Sequence, residues 1–264
     1  MLHATFKSLL SRKVRLVLSG LAIIIGVMFV SGSFVLTDTM GRSLNQIFAT
    51  AYAGIDVDVQ AVPKVDNPGA VSPIPADRLG QVRATPGVAA ATGIVRVDGA
   101  RVIGSNGKVV TALGGTPRYG INWTGTDALI QLRQGRGPRA DTEIAINAAL
   151  ATSAGVAVGD RVGVLTGQPK KTFTLVGIFG YSGGRDSIGG AQEVAFTEPV
   201  AQQLMLGGTH LYSDIEVDAE AGVAAETVRD RLAATMGPAY RVKTGKQLQA
   251  EATAQARKDL QFIN

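Results

Sequence analysis

Residues 16–36 read LVLSGLAIIIGVMFVSGSFVL, a run of 21 residues without a charge. At about 1.5 Å of rise per residue, a helix of this length spans about 31 Å, the thickness of a bilayer's hydrocarbon layer. A secretory signal peptide has a shorter apolar region, about 7–15 residues, with a small-residue cleavage site close behind it. Here the nearest A-x-A matches, Ala49-Thr50-Ala51 and Ala51-Tyr52-Ala53, lie well beyond Leu36. The run therefore reads as a retained transmembrane helix. Lys7, Arg12, Lys13 and Arg15 precede it without any acid, which keeps the N-terminus cytoplasmic and places the chain from Thr37 onward outside.

The same four bases explain the overall charge of +5. All 21 acids lie from Asp38 onward, against the 22 remaining bases, so that region carries only +1 (22 − 21). Basicity of this kind marks a membrane flank, and nucleic acid is excluded as a partner. The absence of Cys excludes disulfides, thiolate metal sites and a cysteine nucleophile. Two His, His3 and His210, leave no zinc site.

Before the span, Leu2, Phe6, Leu9 and Leu10 recur at helical spacing, with Lys7, Ser11 and Arg12 elsewhere on the wheel. This predicts a short amphipathic helix at residues 1–15 lying on membrane lipid at the cytoplasmic interface. Within the span, Ser19, Ala22, Gly26 and Ser33 fall on one helical face, and Ala22 and Gly26 form a small-xxx-small pair. Such a face lets neighbouring helices approach closely.

The span is expected at residues 16–37, and its helix is expected to continue as a stalk over 38–54. Ile55-Asp56-Val57-Asp58-Val59 alternates like a half-buried strand. Residues 63–75 hold four Pro and read as a loop, 76–84 as a short helix, and 88–97 as a strand. Asp98-Gly99 and Asn106-Gly107 lie between β-branched runs and predict hairpin turns. A strand at 213–218, a helix at 223–235 and a strand at 241–244 repeat the earlier order, DVDV aligning with DIEV. Two strand–helix–strand units predict a small sheet with helices on one face. Between the repeats, residues 99–196 are strand-rich, with strands at 143–146, 161–165, 172–179 and 194–196, interrupted by a short helix over 147–154 and a turn at Val158-Gly159-Asp160. The fold class is α+β: one N-terminal transmembrane helix, then an extracytoplasmic domain of two βαβ halves (55–98 and 210–244) with an inserted β-rich subdomain (99–209). Residues 245–264 predict a helix that turns apolar at its end, as if approaching a second span.

Several motifs invite a chemical reading. Gly180-Tyr181-Ser182-Gly183-Gly184 matches G-x-S-x-G, but a nucleophile elbow needs a helix behind the Ser, and Arg185-Asp186-Ser187-Ile188-Gly189-Gly190 is too Gly-rich to supply it. Gly107-Lys108 and Gly245-Lys246 lack the earlier Gly and the following Ser/Thr of a phosphate loop. Tyr119 and Trp123 read as a packing anchor. Asp56, Asp58, Asp214, Glu216 and Asp218 alternate as on a solvated strand face. Catalytic residues, cofactors and metals are accordingly expected to be none.

The leader FKSLLSRKVRLVLSGLAIIIGVMFV resembles the interfacial helix and first span of MacB/FtsX-like ABC transporter permeases. LGQVRATPGVAAATG, LRQGRGPRADTEIAINAALATSAGVAVGDRVGV, FTLVGIF and the terminal VKTGKQLQAEATAQARKDLQFIN are similar to stretches of their ectodomain. The resemblance covers nearly the whole chain. It implies that the βαβ halves form a porter-like subdomain and that the permease is a homodimer or pseudo-dimer in a bacterial plasma membrane. It also implies a cytoplasmic ABC ATPase subunit as partner, an envelope protein as a further one, and ATP hydrolysis coupled to export or to motion outside. The later spans of such permeases are absent here, so the chain is expected to be an N-terminal portion. The alternative reading is a single-span anchored extracytoplasmic binding or scaffold module. An anchored hydrolase using Ser182 is a more distant third.

Overall fold

The computed structural model describes residues 13–63, 71–112, 116–126 and 129–261. Leu2, Phe6, Leu9 and Leu10, predicted for the interfacial helix, lie outside them. The described residues up to Gln46, with those from Thr253 onward, form one compact unit, and Ile47–Ala252 forms another.

In the first unit the chain is helical. Helix α1 runs without interruption from Lys13 to Ala51. Its segment Val17–Val35 is long and apolar enough to cross a membrane, with mean hydropathy 2.2, and none of it is buried within the chain. Phe29 is 78% exposed, which in water would be a severe cost but in lipid is the ordinary state of a spanning helix.

The second unit is built on two main sheets. The first has four strands in the order β14-β1-β13-β3, all neighbours antiparallel: β1 (Val57–Ala61), β3 (Val88–Ile94), β13 (Asp214–Ala219) and β14 (Tyr240–Thr244). Helices α2 (Asp77–Arg83) and α5 (Ala225–Met236) complete the two repeats. They bury Leu79, Val82, Val228 and Leu232 with Val57, Val59, Ile215 and Val217. The two halves interlock, because the first strand of each repeat pairs with both strands of the other. This is the split βαβ arrangement anticipated from the internal repeat. Pro75 and its neighbour Ile74 form a short strand β2, paired with β12 (Leu211–Tyr212).

The second sheet has the path β4-β6-β11-β8-β10-β9-β5, with β7 (Ile130–Gly135) paired to β10 off it. Its strands are β4 (Arg96–Asp98), β5 (Arg101–Ile103), β6 (Arg118–Asn122), β8 (Glu143–Asn147), β9 (Arg161–Leu165), β10 (Lys171–Tyr181) and β11 (Gln192–Phe196). Strands β4 and β5 end this path, six strand spacings or about 29 Å apart if the sheet lay flat. Yet Asp98 and Arg101 are three Cα steps apart in the chain, at most about 11 Å. The sheet is therefore rolled until its ends meet. Asp98-Gly99 is thus not the hairpin turn predicted for it: β4 pairs with β6 and β5 with β9, and Gly99 carries the chain across the seam. Asn106-Gly107 does turn a hairpin, with Ile103 bridged to Val109 and Gly107 at a φ of 74°.

Rolling buries both faces of the middle strands. Ile144 and Ile146 of β8, and Val194 and Phe196 of β11, join the main core with Phe173 and Leu175. Ala145 and Ala195 point the other way, into a second cluster with Ile121, Phe179 and Tyr181. Helix α3 (Ala148–Ala154) begins as predicted at Asn147, whose Oδ1 accepts the Leu150 N–H at 3.3 Å, and stops at Gly155 in the left-handed region. Helix α4 (Glu198–Met205) follows β11, and α6 (Gly245–Gln261) closes the chain.

Candidate functional site

The strand predicted over 88–97 does not stay in one sheet. It breaks at Val95, where the chain leaves the four-stranded sheet as β3 and enters the rolled sheet as β4. A strand that changes partners must find new donors and acceptors for its backbone. Two side chains supply them. Asn122, at the end of β6, accepts the Val95 N–H on Oδ1 at 2.8 Å and donates Nδ2–H to the Gly93 carbonyl at 3.0 Å. Ser213, just before β13, places its Oγ 2.9 Å from the Arg96 N–H, which donates to it, and 2.9 Å from the Ile94 carbonyl. Gly93 is required here by close approach, because a Cβ would fall 2.4 Å from the ring of Tyr212.

The joint so made is lined with charge. Asp58 on β1 pairs in register with Glu216 on β13, and Gln60 pairs with Asp214. Arg96 enters from the first residue of β4, with Nη1 3.4 Å from Glu216 Oε1 and its side chain 42% exposed. The Ser213 hydroxyl also contacts the Asp214 carboxylate. From the rolled sheet come Tyr119 on β6 and its register partner Glu193 on β11. Tyr52, just past the end of α1, lies close enough to Arg96 and Asp58 to feel both charges.

Asp58 is 3% exposed, and its Oδ1 is sealed from solvent with no hydrogen-bond partner. Burial, then the nearby carboxylates of Asp214 and Glu216, push its acid well above the usual carboxylate range, with Arg96 opposing. Burial also raises Asp214, against the charge of Arg96 and a hydrogen bond from Ser213. Glu193, whose Oε2 is likewise buried without a partner, is pushed up to about 7 by burial, again opposed by Arg96. Burial raises Tyr52 and Tyr119 as well. For Arg96, desolvation works against the charge, but Glu216, Asp214 and Glu193 outweigh it and hold the guanidinium ionised.

The reading of these acids as a solvated face is therefore corrected. Alternation placed Asp58, Asp214 and Glu216 on one face, but Asp58 is buried there and Asp214 and Glu216 are half-buried, all three within reach of the charge of Arg96. Asp56 and Asp218 do stand at the exposed end, Asp56 accepting the Ala219 N–H at 2.9 Å. Arg96, Glu193, Asn122 and Ser213 were not singled out by sequence reasoning. The available signal was Arg96 itself, a cation interrupting the apolar run GIVRV.

The other candidates fall elsewhere. Ser182 opens a single 3₁₀ turn, Ser182–Gly184, instead of a helix. The turn's neighbour Arg185 donates to Thr50 Oγ1 at 2.7 Å, near the end of α1. Trp123 packs on Phe179 with ring centroids 5.7 Å apart, and both it and Tyr119 border the second apolar cluster, as expected of packing anchors. Ser19, Ala22, Gly26 and Ser33 are all on α1 with exposed side chains, and a Cβ at Gly26 would meet nothing within 4 Å. Among the described residues no group of three or more His, Cys, Asp or Glu is arranged to hold a metal ion.

Comparison with known proteins places this geometry. The family described as MacB-like periplasmic core domain matches residues 16–235. The periplasmic region of MacB from Actinobacillus actinomycetemcomitans superposes with a TM-score of 0.51 at 11% identity, over 75% of this chain and 92% of that one. The extracellular domain of the noncanonic ABC-type transporter YknZ from Gram-positive bacteria matches with a TM-score of 0.45 at 14% identity, over 71% of this chain and 98% of that one. No curated protein sequence matches. With one apolar helix leading into a two-sheet domain of this fold, the chain belongs to the family of MacB-like periplasmic core domains, part of the MacB/FtsX-like ABC transporter permeases.

Proposed function

We propose that the chain is the first span and ectodomain of a homodimeric or pseudo-dimeric permease, driven by a cytoplasmic ATPase subunit to export a substrate or change conformation outside the membrane. The observation that carries this reading is how the end of α1 is held. Thr50 accepts a hydrogen bond from Arg185, and Tyr52 enters the charged joint between the two sheets. A helix that begins in an apolar run and ends at a joint suits the transmission of motion. On this reading the four-stranded sheet is the porter-like subdomain and the rolled sheet the inserted one. Their boundary is drawn at Val95 instead of residue 98, because β4 hydrogen-bonds in the rolled sheet. The test is to tag the full-length gene product in its own membrane and isolate it in mild detergent. An ATP-hydrolysing subunit should copurify, and its turnover should change when Tyr52 is replaced by Ala. Recovery of this protein without any ATPase overturns the reading and leaves the anchored binding module.

A further inference from the structure

Strands β5 and β9 and the start of β10 carry a basic surface on the outside of the rolled sheet. Residues 99–112 and 161–174 supply it with five bases, Arg101, Lys108, Arg161, Lys170 and Lys171, and no acid. All five are exposed, and none is ion-paired with another described residue. Val102, Val162 and Val164 point into the core, at most 1% exposed, so alternation sends Arg101, Ile103, Arg161, Gly163 and Leu165 to the outer face. Leu165 lies beside Arg101 in register, and Gly163 lies between Ile103 and Thr172. Val109, 40% exposed, bridges to Ile103 and widens the apolar centre. A Cβ at Gly163 would stand 3.1 Å from Ile103 Cδ1 and 3.4 Å from Lys170 Cε, so both side chains lie over its backbone. The neighbouring acids are engaged elsewhere. Asp98 accepts the Arg118 N–H at 2.7 Å, Asp160 accepts the Ala157 N–H at 2.8 Å, and Glu143 on β8 is paired with Arg136.

An apolar centre ringed by unpaired cations is complementary to an apolar residue flanked by carboxylates. We propose that this face docks an acidic segment of a second protein in the same compartment. Its Asp and Glu carboxylates meet Arg101, Arg161 and Lys170, and an apolar side chain rests on Ile103, Leu165 and Val109. The same face of a second copy would bring like charges together, which is costly. A polyanion without apolar groups would leave the centre wet. Lipid is excluded by position. The 11 residues of β10 run about 30 Å from Lys171 to Tyr181, and Arg185, which holds Thr50 near the end of α1, lies beyond the far end.

Docking of this kind needs no ATPase, so its failure and that of the permease reading are separable. The test is photo-crosslinking of the full-length protein in its own cells. A benzophenone amino acid replaces Thr172, which is exposed beside Gly163, or Ala234 on α5 as the control. We expect position 172 and not position 234 to yield one protein adduct, its crosslinked peptide holding an apolar residue among Asp and Glu. Arg101→Glu with Lys170→Glu should lower the yield about tenfold or more, and Lys in place of the partner's crosslinked acids should restore it. Both substituted residues are exposed, so the thermal melt should not move. Should the reversal misfold, Arg101→Gln with Lys170→Gln should still lower the yield. An adduct with lipid, with a second copy or with a peptide lacking acids overturns the proposal. So does the absence of an adduct at position 172, or one that survives the charge reversal.

Discussion

Asn122 satisfies the backbone of Val95 on both sides, its Oδ1 receiving the Val95 N–H at 2.8 Å while its own N–H donates to the Val95 carbonyl at 3.1 Å. Val95 is fully buried between β3 and β4, its carbonyl taken up by the backbone of β6 and its N–H by the Asn122 side chain. Asn122 is itself 5% exposed. Asn122→Ala should strand the Val95 N–H and the Gly93 carbonyl and cost about 3 kcal/mol of stability. Asn106→Ala, which removes an exposed turn bond to the Lys108 N–H, should cost under about 1 kcal/mol. Denaturant unfolding of the two variants checks this, and equal losses would deny Asn122 its role at the crossing.

Glu143 ties the start of β8 to the segment that follows β7. Its carboxylate accepts two bonds from Arg136, at 2.6 and 2.7 Å, and others from the N–H groups of Arg139 and Ala140. The bond to Arg136, then that to Arg139, lowers its titration to about 2. A depressed carboxyl stabilises the fold above its ordinary titration near 4.5, and that contribution is lost as pH falls through about 2. Glu143→Gln should lower the melting temperature by about 2–4 °C at neutral pH. It should also flatten the decline of stability in that acid window. An unchanged acid profile would show the pair to be silent.

Gly135 and Gly177 face each other where β7 pairs with β10. A Cβ at Gly177 would sit 2.0 Å from the Arg136 carbonyl oxygen, and one at Gly135, where φ is 66°, 2.1 Å from the Val176 oxygen. In both cases the obstacle is backbone, which cannot rotate away. Gly177→Ala should cost about 3 kcal/mol or more and displace β7. Gly167→Ala, at a site with nothing within 4 Å, should be nearly neutral. Matching thermal melts for the two would mean that the strands part easily.

Much of this architecture was legible in the residues. The uncharged run, the short helix over 147–154 and the Asn106-Gly107 turn are local signals, and the strand–helix–strand order shows as two similar stretches of sequence. What escaped was settled by residues far apart in the chain. Nothing between Val88 and Val97 announces a change of sheet, because the residues that make it tolerable, Asn122 and Ser213, are 27 and 117 positions away from the backbone groups they serve. Asp98-Gly99 has the composition of a hairpin, and only the closure of the rolled sheet sends its two strands to different partners. Alternation correctly put Asp58 on the face opposite Val57 and Val59. It carried no information on what would cover that face.

Orientation is checked by labelling. Four bases precede the span, so Ser11→Cys should be shielded from an impermeant thiol reagent in intact cells, while Ser105→Cys, in the Asn106-Gly107 turn, should react. Ser105 packs near Gly155, so the labelling is read after mild warming as well. Labelling at position 11 and protection at 105 would invert the topology.

The last expectation concerns how α1 is used within the membrane. A lone anchor needs only apolar bulk, and its small residues can be enlarged freely. A permease helix must pack on neighbours without help from the hydrophobic effect, so close backbone approach becomes the source of affinity. Ser19, Ala22, Gly26 and Ser33 lie within a sector of roughly 60° on α1. Ala22 and Gly26 are exposed, and Gly26 has open space around it. Ala22→Leu with Gly26→Leu therefore harms nothing within this chain and raises its hydropathy, so insertion should be unaffected. In the full-length permease the pair should reduce recovery of the ATPase partner and ATP turnover in membranes by about tenfold, the equivalent of about 1.4 kcal/mol of helix packing. Ile24→Leu with Val27→Leu, away from that sector, is the control and should behave as the unsubstituted protein. If the enlarged helix assembles and couples as well as the control, the small residues are incidental, and α1 acts as a tether instead of a packing element.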